Sequence, residues 1–78
     1  MSDMEDLNLG FEKRVGTKIA YLRKSRNFSQ MKLAEIVDMN FNYIGQIERG
    51  EANVTIKTLK NIANALGVKA EEFFDFSF

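Results

Sequence analysis

Apolar residues recur at intervals of three or four positions along most of the chain, and cap or turn residues interrupt them repeatedly. This pattern restricts the fold more than any other feature, because such spacing places side chains on one face of an α-helix. Strand-like alternation and proline are both absent. We therefore predict an all-α fold of five short helices, over residues 11–26, 30–37, 41–49, 56–66 and 70–74.

Residues that start or stop helices lie between the apolar segments and predict tight joints. Side chains that can accept a hydrogen bond from the first turn of a following helix are those of Ser29, Asn40 and Thr55. Residues suited to the left-handed conformation at a helix end are Asn27, Asp38, Gly50 and Gly67.

The 78 residues suffice for one small domain. We expect a flexible arm over residues 1–9 and a single domain over residues 10–78.

The residue types present exclude most catalytic and metal chemistry. The chain contains no histidine and no cysteine, which removes disulfides, thiolate nucleophiles, histidine bases and the usual zinc ligand sets. It also has no glycine-rich phosphate-binding loop and no evident carboxylate dyad. We therefore expect a protein that is not an enzyme and that needs no cofactor or small-molecule ligand.

The location of the protein is predicted from its apolar runs and its first residues. No apolar run reaches the length of a membrane span, and the acidic start MSDMED differs from the basic start of a signal peptide. We expect a cytoplasmic protein without membrane association.

Basic residues are concentrated in one segment, although the formal net charge of the chain is zero. Residues 1–12 carry four acids and no base, whereas residues 13–32 carry seven bases and no acid. Clustered Lys and Arg are what phosphate neutralisation requires. The distribution therefore favours a nucleic-acid partner more than the total charge does. The alternative interpretation is an ordinary solvated helix face.

The predicted third helix, within FNYIGQIERG at residues 41–50, separates its polar and apolar side chains. Ile44, Ile47 and Tyr43 point toward one side, which is expected to face the core. At roughly 100° per residue, an arc of about 140° on the other side holds Phe41, Asn42, Gly45, Gln46 and Arg49. Amides can pair bidentately with adenine and an apolar ring can contact a thymine methyl group, so this face is suited to reading DNA bases. The alternative is a polar surface helix with one aromatic residue.

Gly45 lies in the middle of that outward face. Glycine in a helix interior costs on the order of 1 kcal/mol relative to alanine, and we expect no core neighbour to require the missing side chain. We predict that Gly45 gives clearance for the helix backbone to approach DNA closely. The alternative is that this glycine has no function.

Two short helices joined by a three-residue turn, with polar groups outward on the second, form a helix-turn-helix arrangement. The segments SQMKLAEIVDMNFNYIGQIERG and TIKTLKNIANALGV resemble the Cro and phage-repressor type of helix-turn-helix domain, also called XRE-like. The resemblance runs from Phe11 to Phe74. Within this family, Asn53-Val54-Thr55 in place of the common proline-containing cap, together with the closing EEFF, is similar to the controller proteins of restriction-modification systems.

The resemblance implies a compact lambda-repressor-like fold and a dimeric transcriptional regulator that binds palindromic double-stranded operator DNA. It implies that residues 41–49 enter the major groove, with base contacts from Phe41, Asn42 and Gln46. Contacts to DNA phosphates are implied for Ser29, Gln30, Asn40, Tyr43, Arg49, Asn53 and Lys57. A structural ion pair between the first and third helices is implied for Arg23 and Glu48. For Tyr43, a place in the core with the hydroxyl at its rim is an alternative or additional role.

The C-terminal EEFFDFSF contains more aromatic residues than a small monomer is expected to bury, namely Phe73, Phe74, Phe76 and Phe78. One or two should close the core. The rest should form an apolar patch that a second subunit covers, so we predict a homodimer interface in this segment. The alternative is a disordered tail.

A different class of function also stays open at this point. The near-neutral total charge is compatible with a protein-interaction module, such as the antitoxin of a toxin–antitoxin pair. Salt dependence separates the two interpretations, because binding through several DNA phosphates weakens steeply as salt rises.

Overall fold

The computed structural model describes residues 6–77 and consists of four α-helices followed by a short 3₁₀ helix. The α-helices are α1 (Phe11–Ser25), α2 (Gln30–Val37), α3 (Phe41–Glu48) and α4 (Ile56–Leu66), and the 3₁₀ helix is Ala70–Phe74. The described residues contain no strand. The all-α prediction is confirmed, with the fifth predicted helix present as a single 3₁₀ segment. Residues 1–5 of the predicted arm lie outside the described residues.

The helix boundaries arise from the predicted cap residues. Each of the three capping side chains accepts a hydrogen bond from a backbone N–H in the first turn: Ser29 from Lys32 at 2.9 Å, Asn40 from Asn42 at 2.8 Å and Thr55 from Thr58 at 3.0 Å. The helix ends adopt positive φ at Asn27 (60°), Asp38 (56°), Gly50 (77°) and Gly67 (72°). Side-chain oxygens and left-handed residues thus satisfy backbone groups that a helix end leaves unpaired.

The core lies between the helices and has contributions from all five elements. Its buried apolar side chains are Val15, Ile19, Leu22, Leu33, Ala34, Ile44, Ile47, Ile62, Ala63, Leu66 and Phe73. Phe73 has an exposed fraction of 0%. Its predicted place in a dimer interface is therefore corrected, because a ring sealed inside its own subunit has no surface to offer a partner. Phe78, predicted for the same interface, lies outside the described residues.

α1 and α3 approach closely at Gly16, a position that the apolar spacing of α1 does not distinguish. A Cβ atom at Gly16 would overlap the carbonyl oxygen of Ile47 and would lie 2.7 Å from that of Glu48. Backbone atoms of a packed helix cannot give way as the end of a flexible side chain can. The glycine therefore allows the contact that holds α3 against α1.

Within residues 6–77, no helix is long and apolar enough to cross a membrane. Among the same residues, no three His, Cys, Asp or Glu side chains are grouped so that they could hold a metal ion.

Candidate nucleic-acid interface

α2 and α3 form a helix-turn-helix whose second helix is anchored by its apolar side. The joint between them is tight, since Asp38 adopts the left-handed conformation and the N–H of Met39 donates to the carbonyl oxygen of Ala34 at 2.9 Å. Ile44 and Ile47 are buried. The opposite side of α3 consequently faces solvent.

The residues predicted to contact DNA bases lie together on that free face. Phe41, Asn42 and Gln46 are all exposed, and Phe41 leaves 46% of its surface accessible although it is aromatic. They line a shallow depression of about 380 Å³ together with Gln30, Gly45 and Arg49. The structure thus brings the three predicted base readers together with two of the predicted phosphate contacts.

Gly45 is one of the residues that line this depression, and it is buried. A Cβ atom added there would lie 3.1 Å from Nη1 of Arg49 and 3.7 Å from Oε1 of Gln30. No residue of the core is among these closest neighbours, as expected. The side chains of Arg49 and Gln30 instead lie over Gly45 on the outer face of α3.

Gln30 begins α2, and Ser29 is the N-cap of that helix. The Oγ of Ser29 accepts the capping hydrogen bond, which leaves its hydroxyl hydrogen available to donate outward. The Nε2 of Gln30 donates to Oε1 of Glu48 at 3.0 Å. Gln30 is half-buried by this contact, so its amide is held in place and does not extend freely into solvent.

Arg23 and Glu48 form a buried ion pair between α1 and α3. The Nε of Arg23 donates to Oε2 of Glu48 at 2.7 Å, and its Nη2 donates to Oε1 at 3.1 Å. The Nη1 of Arg23 also donates to the carbonyl oxygen of Phe28 at 2.6 Å. The side chains are 8% and 7% exposed. Two parallel bonds and almost full burial make this pair part of the framework that holds α3.

The other predicted phosphate contacts lie around the two ends of α3. Asn40 caps its start and is exposed. Tyr43 is half-buried against the core, and its hydroxyl donates to the carbonyl oxygen of Asn53 at 3.1 Å. The side chain of Tyr43 thereby ties α3 to the loop that precedes α4. Asn53 in that loop and Lys57 in the first turn of α4 are exposed.

Arg49, which caps the end of α3, is paired with an acid on the surface. Its Nε donates to Oε1 of Glu51 at 3.1 Å, and the two side chains are 56% and 58% exposed. An exposed pair of this kind contributes little free energy, about 0–1 kcal/mol. Arg49 can therefore exchange Glu51 for another anion at small cost.

Four of the seven bases in the run at residues 13–32 contact other groups of the fold: Arg14 lies over the ring of Phe76, Lys18 pairs with Glu72 at 3.7 Å, Arg23 pairs with Glu48, and Arg26 donates to the carbonyl oxygen of Leu66 at 2.7 Å. Of these four, Lys18 and Arg23 are buried. The exposed bases of this run are Lys13, Lys24 and Lys32, together with Arg14 and Arg26. Part of the clustered charge thus serves contacts within the fold.

The C-terminal aromatic residues continue into an apolar surface. The ring of Phe74 stacks on that of Phe11 at 5.8 Å, and Phe76 meets Phe11 edge-on at 5.9 Å. Phe74 is still 45% exposed, and Ile56 is 85% exposed. Both Phe74 and Ile56 line a broad depression of about 680 Å³. The helical pattern gave no signal for an exposed Ile56, because that residue falls on the apolar spacing of α4.

Known proteins resemble this chain in sequence and in fold. The helix-turn-helix family model HTH_3 matches residues 19–73, which include all of α2 and α3. The control protein C.BamHI of Bacillus amyloliquefaciens is 41% identical over 63 residues, which cover 80% of this chain and 78% of that protein.

Two solved structures have the same fold. The restriction-modification controller protein C.AhdI from Aeromonas hydrophila has a TM-score of 0.81 at 29% identity, and the match covers 83% of this chain and 98% of that chain. The master regulator for biofilm formation SinR, solved in complex with DNA, has a TM-score of 0.74 at 29% identity, with 78% and 98% covered.

Proposed function

The chain belongs to the helix-turn-helix family HTH_3, of the XRE-like type, and from this premise we propose that it is a dimeric transcriptional regulator that binds palindromic operator DNA. Its relatives are control proteins and regulators, not enzymes. The observation that supports the proposal most directly is the solvent-facing side of α3. This side lies opposite Ile44 and Ile47 and presents amide groups around a shallow depression.

The base contacts in this proposal come from Phe41, Asn42 and Gln46, with α3 in the major groove. The amides of Asn42 and Gln46 each offer a donor and an acceptor, the combination that matches the N6 and N7 edge of adenine. Phe41 offers an exposed ring at the start of the helix. All three side chains line the same depression.

The phosphate contacts in this proposal lie on both sides of the base readers. Ser29 and Gln30 stand at the N-terminus of α2, where the helix dipole and free N–H groups favour an anion. Asn40 and Tyr43 flank the start of α3, while Arg49, Asn53 and Lys57 lie beyond its end. These contacts would position the domain on the duplex without reading sequence.

The dimer interface in this proposal is the apolar surface near the C-terminus. Phe74 and Phe76 contribute to it, and Phe78 belongs to the same sequence segment. Ile56 is added because an aliphatic side chain that is 85% exposed beside Phe74 is best explained by a covering partner. A two-fold dimer would place two copies of α3 about 34–36 Å apart, one turn of DNA.

We place the single domain at residues 10–78, with residues 1–9 as an arm, and the protein in the cytoplasm with its operator.

The proposed function can be tested by selecting bound sequences from random duplex DNA and then measuring the affinity for the selected sequence at two salt concentrations. We expect the selected sequence to be a palindrome whose half-sites are one helical turn apart. The affinity of the protein for it should fall steeply as the salt concentration rises. Absence of any selected sequence would contradict the proposal and favour a protein-interaction module such as an antitoxin.

A further inference from the structure

The carboxylate of Glu48 accepts hydrogen bonds from two different helices. Arg23 of α1 donates to both of its oxygens, at 2.7 and 3.1 Å, and Gln30 of α2 donates to Oε1 at 3.0 Å. The side chain of Glu48 is only 7% exposed. The acceptor of the hydrogen bond from Gln30 is therefore shielded from most of the surrounding water, and a charged acceptor forms stronger hydrogen bonds in such surroundings.

This contact fixes the direction of the Gln30 amide. A carboxylate only accepts, so the amide nitrogen must point toward Glu48, and one N–H and the carbonyl oxygen remain for other partners. The amide lies over Gly45, with Oε1 and Nε2 at 3.7 and 3.8 Å from the position of a Cβ atom. Gln30 is thus restrained from two sides, by Glu48 and by α3 itself.

The hydrogen bond from Gln30 is additional to those of the ion pair. Arg23 already supplies Glu48 with two donors and satisfies its own third nitrogen at the carbonyl oxygen of Phe28. Arg23 also offsets the negative charge of Glu48, which would otherwise repel DNA phosphates close to α2. The pair therefore provides a charge-balanced acceptor directly behind a residue proposed to bind the DNA backbone.

We propose that Glu48 is a positioning residue for DNA binding, which orients the amide of Gln30 so that its remaining N–H donates to a phosphate. The inference rests on the proposed function, because it assigns a role within that interface. A side chain ordered before binding loses less conformational entropy when DNA arrives. The buried ion pair would then connect the packing of α1 and α3 to affinity for the DNA backbone.

A double-mutant cycle on operator affinity tests this role. The variants are Glu48→Gln, Gln30→Ala and the double variant, each confirmed as folded by circular dichroism at the temperature of the binding assay. Replacing Glu48 also changes the charge near DNA and its pairing with Arg23, and the effects of these two changes on DNA binding do not pass through Gln30. Only an effect transmitted through Gln30 disappears in the Gln30→Ala background.

We expect Glu48→Gln to weaken operator binding about threefold to tenfold more in the parent than in the Gln30→Ala background, a typical coupling between contacting residues. A matched control is Glu72→Gln, which breaks the Lys18 pair away from α3. Its effect should be the same factor in both backgrounds. An equal effect of Glu48→Gln in both backgrounds would overturn the inference while the parent still binds its operator. If the parent itself binds no DNA, the result contradicts the proposed function and not only the role of Glu48.

A second measurement needs no variant and so does not depend on the stability of Glu48→Gln. Nitrogen relaxation of side-chain amides in the free protein compares Gln30 with Gln46, which is exposed. We expect an order parameter near that of rigid backbone, about 0.8, for Gln30 and below about 0.6 for Gln46. Equal mobility of the two amides would overturn the inference.

Discussion

Gly16 of α1 packs directly against the backbone carbonyl of Ile47 in α3, at a site where no side-chain atom fits. The contact lies in the last turn of α3, which ends at Glu48. It holds this end of the helix against α1, while Ile44 and Ile47 fill the core. The presentation of the outward face depends on this close approach of two backbones.

Gly16→Ala should destabilise the fold strongly, by about 3 kcal/mol or more, because the added methyl group meets two carbonyl oxygens that cannot move independently. Urea unfolding measures the loss. The matched control is Thr17→Ala at the exposed neighbouring position, which should stay within about 0.5 kcal/mol of the parent. A loss below about 1 kcal/mol for Gly16→Ala would show that the helices separate easily.

Arg23→Ala should lower the free energy of unfolding by about 3–5 kcal/mol, because it leaves Glu48 buried without its counter-charge. The same urea experiment measures this. Arg49→Ala is the control, since it removes an arginine from an exposed pair and should change stability by no more than about 1 kcal/mol. Similar losses for the two variants would argue against a framework role for the buried pair.

Gly45→Ala should separate stability from binding. The helix gains up to about 1 kcal/mol of propensity, and the closest neighbour of the new methyl group is the movable end of Arg49 at 3.1 Å. We expect a protein at least as stable as the parent that binds operator less tightly, because the end of the Arg49 side chain is displaced. Gly45→Leu should fold as well and bind worse still. Thermal unfolding measures the stability of both variants and titration with operator DNA measures their affinity. If both variants bind operator as tightly as the parent, Gly45 has no role in DNA binding.

Ile56→Lys should convert the proposed dimer to monomer at micromolar concentration, because it places a charge in the apolar surface beside Phe74. Sedimentation velocity reports the species present. Ile36→Lys on α2 replaces another exposed aliphatic residue and should leave the dimer intact. A dimer that survives Ile56→Lys would mean that the subunits meet elsewhere.

The helices and the two faces of α3 could be predicted because they depend on neighbours in sequence. Ser29, Asn40 and Thr55 cap their helices through atoms two or three residues away. Ile44 and Ile47 face the core because of helical spacing alone. Local chemistry and periodicity therefore indicated where the outward surface of α3 would lie.

Contacts between residues distant in sequence could not be predicted from local pattern, and the one that was predicted, Arg23 with Glu48, came from the family resemblance. The need for glycine at position 16 comes from α3, and Arg26 is bound to the carbonyl oxygen of Leu66, 40 residues away. For the basic residues at 13–32, the sequence alone did not distinguish those that contact other parts of the fold from those that remain available to bind DNA. Similarly, spacing on α4 could not distinguish the exposed Ile56 from its buried neighbours.

The most direct test of the account compares Gln46→Ala with the parent on the selected operator and on duplexes with single base-pair changes. Because Gln46 is exposed on the free face of α3, stability should hardly change, and Arg49→Ala provides the contrast by weakening all sequences alike. We predict that Gln46→Ala loses about 1–3 kcal/mol of discrimination at one base pair in each half-site. Unchanged affinity and unchanged specificity for Gln46→Ala would contradict the placement of α3 in the major groove.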